Sequence, residues 1–113
     1  MAKYLISFPA PAMRVTPEEL PDVADAAHAV VEEAREAGVW VFGGGIDSEV
    51  PPVKVAADGT ATPGTYPQTS ELDGGFTVLE VPSREEAQKW AAKFADACRC
   101  AQELRAFAYD PAS

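Results

Sequence analysis

Residues 74–98 read GGFTVLEVPSREEAQKWAAKFADAC, and this run decides the fold. Phe76, Val78 and Glu80 alternate with Thr77, Leu79 and Val81, the two-residue period of a strand. Leu79 and Val81 make the second face apolar too, which places the strand in the interior of a sheet. Ser83 stands three residues before Glu86, the spacing of a capping box that opens a helix. Ala87, Trp90, Ala91, Phe94 and Cys98 then recur at helical spacing, while Arg84, Glu85, Lys89, Lys93 and Asp96 face water. A central strand therefore passes directly into an amphipathic helix. The glycine pair Gly74-Gly75 lets the chain enter that strand.

The flanks repeat this plan. Downstream, residues 101–111 alternate Leu104, Ala106 and Ala108 with Arg105, Phe107 and Tyr109, and predict a last strand. Upstream, KYLISFPAPA (3–12) predicts an opening strand that Pro9 ends. Residues 14–39 predict a helix with Thr16 as N-cap, Pro17 at the first helical position and Gly38 as the stop. Its apolar stripe is Leu20, Val23, Ala24, Ala27, Val30, Val31 and Ala34. Residues 39–45, VWVFGGG, predict a second strand. Residues 50–64 predict a hairpin whose Asp58-Gly59 turn is of the two-residue type with positive φ at both positions.

The order is strand, helix, strand, hairpin, strand, helix, strand. It predicts a single α+β domain on a split βαβ plan, an antiparallel sheet with an extra hairpin strand and both helices on one face. A chain of 113 residues has nothing left to cover the other face. A second copy is the expected lid, giving a homodimer with sheets packed face to face.

Composition narrows the partners. The net charge of −9 argues against nucleic acid and against anionic membrane surfaces. No apolar run approaches the ~20 residues of a membrane span, and the N-terminal apolar stretch is too short for a signal peptide, so a cytoplasmic location is expected. Cys98 and Cys100 form a C-x-C pair too close for an unstrained disulfide, and are read as reduced structural thiols. With a single histidine in the chain, no metal site and no cofactor are expected.

Several runs together resemble the YCII-related family, in particular its DGPF-domain branch, over nearly the whole chain. They are REAGVWVFGGGID (35–47), the hairpin VKVAADGTAT (53–62), the ELDGGFTVLEVPSREEAQKWAAKFADA segment (71–97) and QELRAFAY (102–109). The signature Asp-Gly-Pro-Phe of that branch aligns with Pro63, Gly64, Thr65 and Tyr66. The glycine is kept, Tyr replaces Phe, and Asp and Pro are lost. The resemblance implies a ferredoxin-like βαββαβ fold with the extra hairpin strand, assembled as a dimeric α+β barrel. It also implies that some relatives carry out ring-cleaving or dehalogenating lyase chemistry with a His–Asp pair.

That implication singles out His28 and Asp47. His28 lies at the edge of the apolar stripe, one residue out of the register that relatives use, a step of about 100° on a helix. It reads either as a boundary histidine or as a general acid/base in a cleft. Asp47 reads either as a turn cap or as the carboxylate that orients the imidazole. Gly44 and Gly45 read either as an unusual φ at a strand end or as close backbone approach, which makes them candidates for ligand contact. Tyr66 suits a pocket wall or a cover over the sheet, and Arg14 suits either solvent or an anionic group of a small ligand. The functional expectation is a dimeric small-molecule-binding or accessory module. The alternative is a small-molecule enzyme with lyase-like or hydrolase-like acid/base chemistry on His28 and Asp47.

Overall fold

The structure is a computed structural model and describes residues 1–113. Strand β1 (Ala2–Phe8) leads through a short 3-10 turn to helix α1 (Leu20–Glu36) and strand β2 (Trp40–Gly45). The hairpin β3 (Val53–Val55) and β4 (Ala61–Pro63) follows, then a second 3-10 turn at Pro67–Thr69. Strand β5 (Gly75–Val81), helix α2 (Arg84–Cys98) and strand β6 (Glu103–Ala106) complete the chain.

The main sheet has the order β2-β5-β1-β6 with every neighbouring pair antiparallel. β5 lies between β1 and β2, and β1 lies between β5 and β6, so the two β-α-β units interlock as the ferredoxin-like plan requires. β5 is central, as its two apolar faces predict. β6 is shorter than the alternation over 101–111 suggests, because beyond Ala106 only the Phe107 N–H donation to Lys3 O (2.9 Å) continues the pairing.

α2 begins where its capping residue stands: Ser83 Oγ accepts from Glu86 N–H at 3.2 Å. α1 does not begin at Pro17 as its capping signals suggest, but at Leu20. The reason is Pro21. In a helix started at Pro17, its ring would meet a carbonyl one turn back, whereas in a helix started at Leu20 its missing N–H falls in the first turn. Thr16 caps nothing with its side chain; its N–H donates to Glu19 Oε1 at 3.0 Å. Gly38 ends α1 as expected, at φ +75°, with Val39 N–H donating to Ala34 O and Gly38 N–H to Arg35 O.

Tyr4, Ile6, Leu79 and Val81 point from the sheet into the core, where they meet Val30, Ala34, Ala87, Ala91, Phe94 and Ala97 of the helices. The helix side of this core is mostly alanine. That draws the helices close to the sheet and leaves Ile6, Leu79 and Val81 as the largest wholly enclosed side chains. The opposite face carries Lys3, Leu5, Ser7, Phe76, Val78, Glu80 and Arg105; neither α1 nor α2 lies over it, and only at the buried Ser7 end do Gln68, Glu71 and Leu72 border it. A bulge at Val41 shifts the β2–β5 register. It puts Phe42 on this open face, opposite Val78 and 68% exposed, and turns Gly43 toward the helices.

The hairpin turn differs from the expected two-residue type. Only Gly59 has positive φ (+91°), Gly59 N–H donates to Ala56 O, and Ala56 N–H donates to Thr60 O. This is a type I turn closed by a glycine bulge; Asp58 keeps an ordinary φ and accepts from Thr60 N–H at 2.9 Å. The chain is 20 Å deep, one layer of strands and one of helices. It exposes 7736 Å². A monomer of its 12.0 kDa is expected to expose about 6,000 Å².

Candidate functional site

The second face of α1 builds a cleft. Val23, Val30 and Ala34 are buried. A stripe beside them, Leu20, Ala24, His28, Val31 and Arg35, runs at helical spacing along the wall of a cleft of about 500 Å³ between α1 and strands β2 and β5. The floor is aromatic. A side chain at Gly43 would place its Cβ 2.7 Å from Trp40 Cη2, and one at Gly75 would meet Phe8 Cε1 at 2.6 Å. The two glycines therefore make room for the Trp40 and Phe8 rings close against the strands. Phe94 and Cys98 line it from α2, and Met13 from the segment after β1.

Its polar side chains are His28, Arg35, Thr77 and Gln102, and no Asp or Glu lines it. In a chain of net charge −9, a cleft whose only ionisable nitrogen groups are an arginine and a histidine is locally distinct. The Arg35 guanidinium lies 5.7 Å from the Trp40 ring centre and also pairs with Glu32 at 2.7 Å. Past the end of α2, Arg99 adopts φ +59° and pairs with Glu19, which ties the start of α1 to the end of α2. The Glu19 carboxyl is held below its usual value by the hydrogen bonds of Thr16, helped by the charge of Arg99.

Burial pushes the Cys98 thiol above the usual range, and the neighbouring Cys100 adds to this. Burial raises Cys100 too, against the effect of a hydrogen bond from Gln102. Both cysteines are free. With few thiolates at neutral pH they are poor nucleophiles. Both are expected to react with a disulfide reagent at pH 8 more slowly than free cysteine does, Cys98 the slower. A fast phase for either would contradict this placement.

Of the residues that the sequence singles out, His28, Gly44 and Gly45 meet in the cleft. Asp47 does not line it: its Oδ1 accepts from Glu49 N–H at 3.0 Å in a local turn, and no hydrogen bond or ion pair joins it to His28. Arg14 is exposed, and it is its neighbour Met13 that lines the cleft. Tyr66 is 65% exposed, beside the hairpin rather than in the wall, with Lys54 Nζ 5.4 Å from its ring centre. Sequence reasoning passed over Trp40 and Arg35. The helical step from His28 through Val31 to Arg35 was a legible signal for the arginine. Nothing local marks Trp40, because the bulge after it sets its direction. No group of three or more His, Cys, Asp or Glu side chains converges in a way that could hold a metal ion. No helix is long and apolar enough to cross a membrane.

Comparison with known proteins agrees with the fold. No curated protein sequence matches the chain. Among solved structures, the chain is similar to 5-chloro-2-hydroxyhydroquinone dehydrochlorinase (TftG) from Burkholderia phenoliruptrix AC1100, in its complex with 2,5-dihydroxybenzoquinone. The TM-score is 0.50 and the identity 18%, over 96% of this chain and 95% of that one. At that identity the likeness speaks to the α+β fold. The YCII-related domain profile matches residues 4–99, most of the chain, and spans β1 through the end of α2. With its interlocked β-α-β units and its cleft beside α1, the chain belongs to the YCII-related domain family.

Proposed function

We propose that the chain is a one-domain, cytoplasmic, dimeric small-molecule-binding module of the DGPF branch, and that it takes a flat ring compound with an oxygen-bearing edge in the cleft beside α1. The observation that carries this reading is the cleft itself. Two aromatic rings lie over glycines on its floor, and its only ionisable nitrogen groups are those of Arg35 and His28. Its volume of about 500 Å³ falls in the roughly 300–1,000 Å³ range of ligand sites. Apolar rings suit the aromatic floor, and an anionic or carbonyl edge suits the guanidinium. The free thiols accord with a reducing compartment.

The dimer part rests on the uncovered sheet face and on the exposed area. The excess over a typical monomer, about 1,700 Å², is larger than the ~800 Å² that each partner of a standard interface buries. The enzymatic alternative keeps one supporting observation, that His28, the sole imidazole, lines the same cleft. It lacks a carboxylate to orient the ring, which is why binding is the better-supported reading.

A thermal-shift screen of hydroxylated benzoquinones and ring carboxylates tests the binding. The dihydroxybenzoquinone held by the fold neighbour is the first compound to try. A ligand at 100 times its Kd stabilises by about 2.7 kcal/mol, read as a rise of several degrees in Tm. Arg35→Ala is expected to lose most of that rise while the ligand-free Tm stays close to the parent's, because surface ion pairs contribute little. No shift at millimolar concentration, or an unchanged shift in Arg35→Ala, would overturn it.

A further inference from the structure

No hydrogen bond or ion pair ties the hairpin to the body, and of its segment only Gln68, Glu71 and Leu72 border the main sheet. Every hydrogen bond made within Asp47–Leu72 ends inside that segment, and no ion pair leaves it. The nearest ties to the body flank it, Ile46 N–H to Gly74 O and Ala10 N–H to Asp73 Oδ1. A lone two-stranded hairpin is marginal in water, so one that stands away from its sheet needs another surface.

Its pattern says what kind of surface. Val53 pairs with Pro63, Lys54 with Thr62, and Val55 with Ala61. Paired residues share a face, so one face is Val53, Val55, Ala61 and Pro63, and the other is Lys54 and Thr62. The apolar face is bare, with Val53 54% and Val55 66% exposed. Lys54 meanwhile folds over Tyr66 on the polar side. Pro51 and Pro52 stiffen the approach to β3, and Pro63 the departure from β4, so little ordering entropy is left to lose on docking.

We infer that this hairpin is an exchanged arm: its apolar face docks on a second copy of the chain, and that copy's arm docks in return. The inference rests on the proposal that the partner is a second copy covering the open sheet face. The occupant follows from place and area. The arm grows from the end of β2, the edge strand that carries Phe42 on the open face, and forms a two-stranded sheet of its own. In a two-fold pair, each arm projecting beyond one sheet reaches the body of the other. The surplus exposed area is about twice what one side of a standard interface needs, room for a face and an arm together.

Sedimentation equilibrium on the full chain tests it with three variants. Val53→Asp/Val55→Asp charges the apolar face, Thr62→Asp charges the polar face, and Val78→Asp charges the open sheet face. Circular dichroism confirms that each is folded. The double variant is expected to weaken the dimer about 100-fold or more, since two valines lose their burial. Thr62→Asp is expected to leave it within a few-fold of the parent. If Val78→Asp disrupts the dimer and the arm double variant does not, the face pairing stands and the arm exchange falls. Equal disruption by Thr62→Asp and by the double variant also overturns the docking of the apolar face. A parent that stays monomeric at 100 micromolar removes both readings.

Discussion

Gly74→Ala is expected to leave little folded protein. A Cβ at this position would lie 1.9 Å from Phe8 O and 2.9 Å from Ala10 N, both of them main-chain atoms. No rotamer change relieves a clash with backbone. The last residue of β1 or the first of β5 must move, although Phe8 pairs with Gly75 and Gly74 O accepts from Ile46 N–H. Overpacking a well-fitted interior costs about 1–3 kcal/mol even where side chains can yield. Here the cost exceeds that range, against a total stability of about 5–15 kcal/mol for a domain. Urea denaturation of whatever soluble protein is recovered measures it. A loss under about 1 kcal/mol would mean that β1 and β5 do not approach as described.

Leu79→Ala is expected to cost close to the upper end of the roughly 2–5 kcal/mol seen for such truncations. Leu79 is wholly buried, and it pairs with Tyr4 on one side and Trp40 on the other. The helix residues that pack over this core are largely alanines, which have no side-chain freedom to collapse into a void. The cavity would stay open, and the cavity part of the cost with it. Denaturant midpoints at an unchanged m-value measure the difference. A loss under about 1.5 kcal/mol would place Leu79 outside the core.

Both predictions fall in the run of sequence where strand, cap and helix were legible, and the reason is physical. A two-residue period in β5, a serine cap and a helical stripe in α2 are local signals that tertiary context reinforced. The faces of β1 and β5 followed from the same alternation. The start of α1 was misplaced because two rules competed. A threonine followed by proline reads as a helix start, yet Pro21 decides where the first turn can lie. The turn at Asp58-Gly59 was located but mistyped. A D-G pair serves two turn families, and the number of residues between the strands chooses between them.

The cleft was less legible than the fold. His28, Gly44 and Gly45 belong to it, since a helix face and a strand end are fixed by regular geometry. Asp47 was misleading for the opposite reason. It lies two residues beyond β2, where the chain turns on its own Asx bond, and sequence distance from the strand no longer says where a carboxylate points. Tyr66 was drawn toward the cleft by its aromatic ring, but the hairpin carries it away. Trp40 depended on a bulge, and bulges leave no reliable trace in a single sequence.

That the cleft beside α1 is the ligand site is tested most directly by nitrogen-15 chemical-shift mapping during titration with 2,5-dihydroxybenzoquinone or whichever ring compound the screen retains. The expected result is a cluster of perturbed amides at His28, Gly43, Gly44, Gly45 and Thr77, with the Trp40 indole N–H moving in step and Trp90 still. Perturbations gathered instead at Lys3, Val78, Phe107 and Tyr109, in the hollow on the open sheet face, would contradict it.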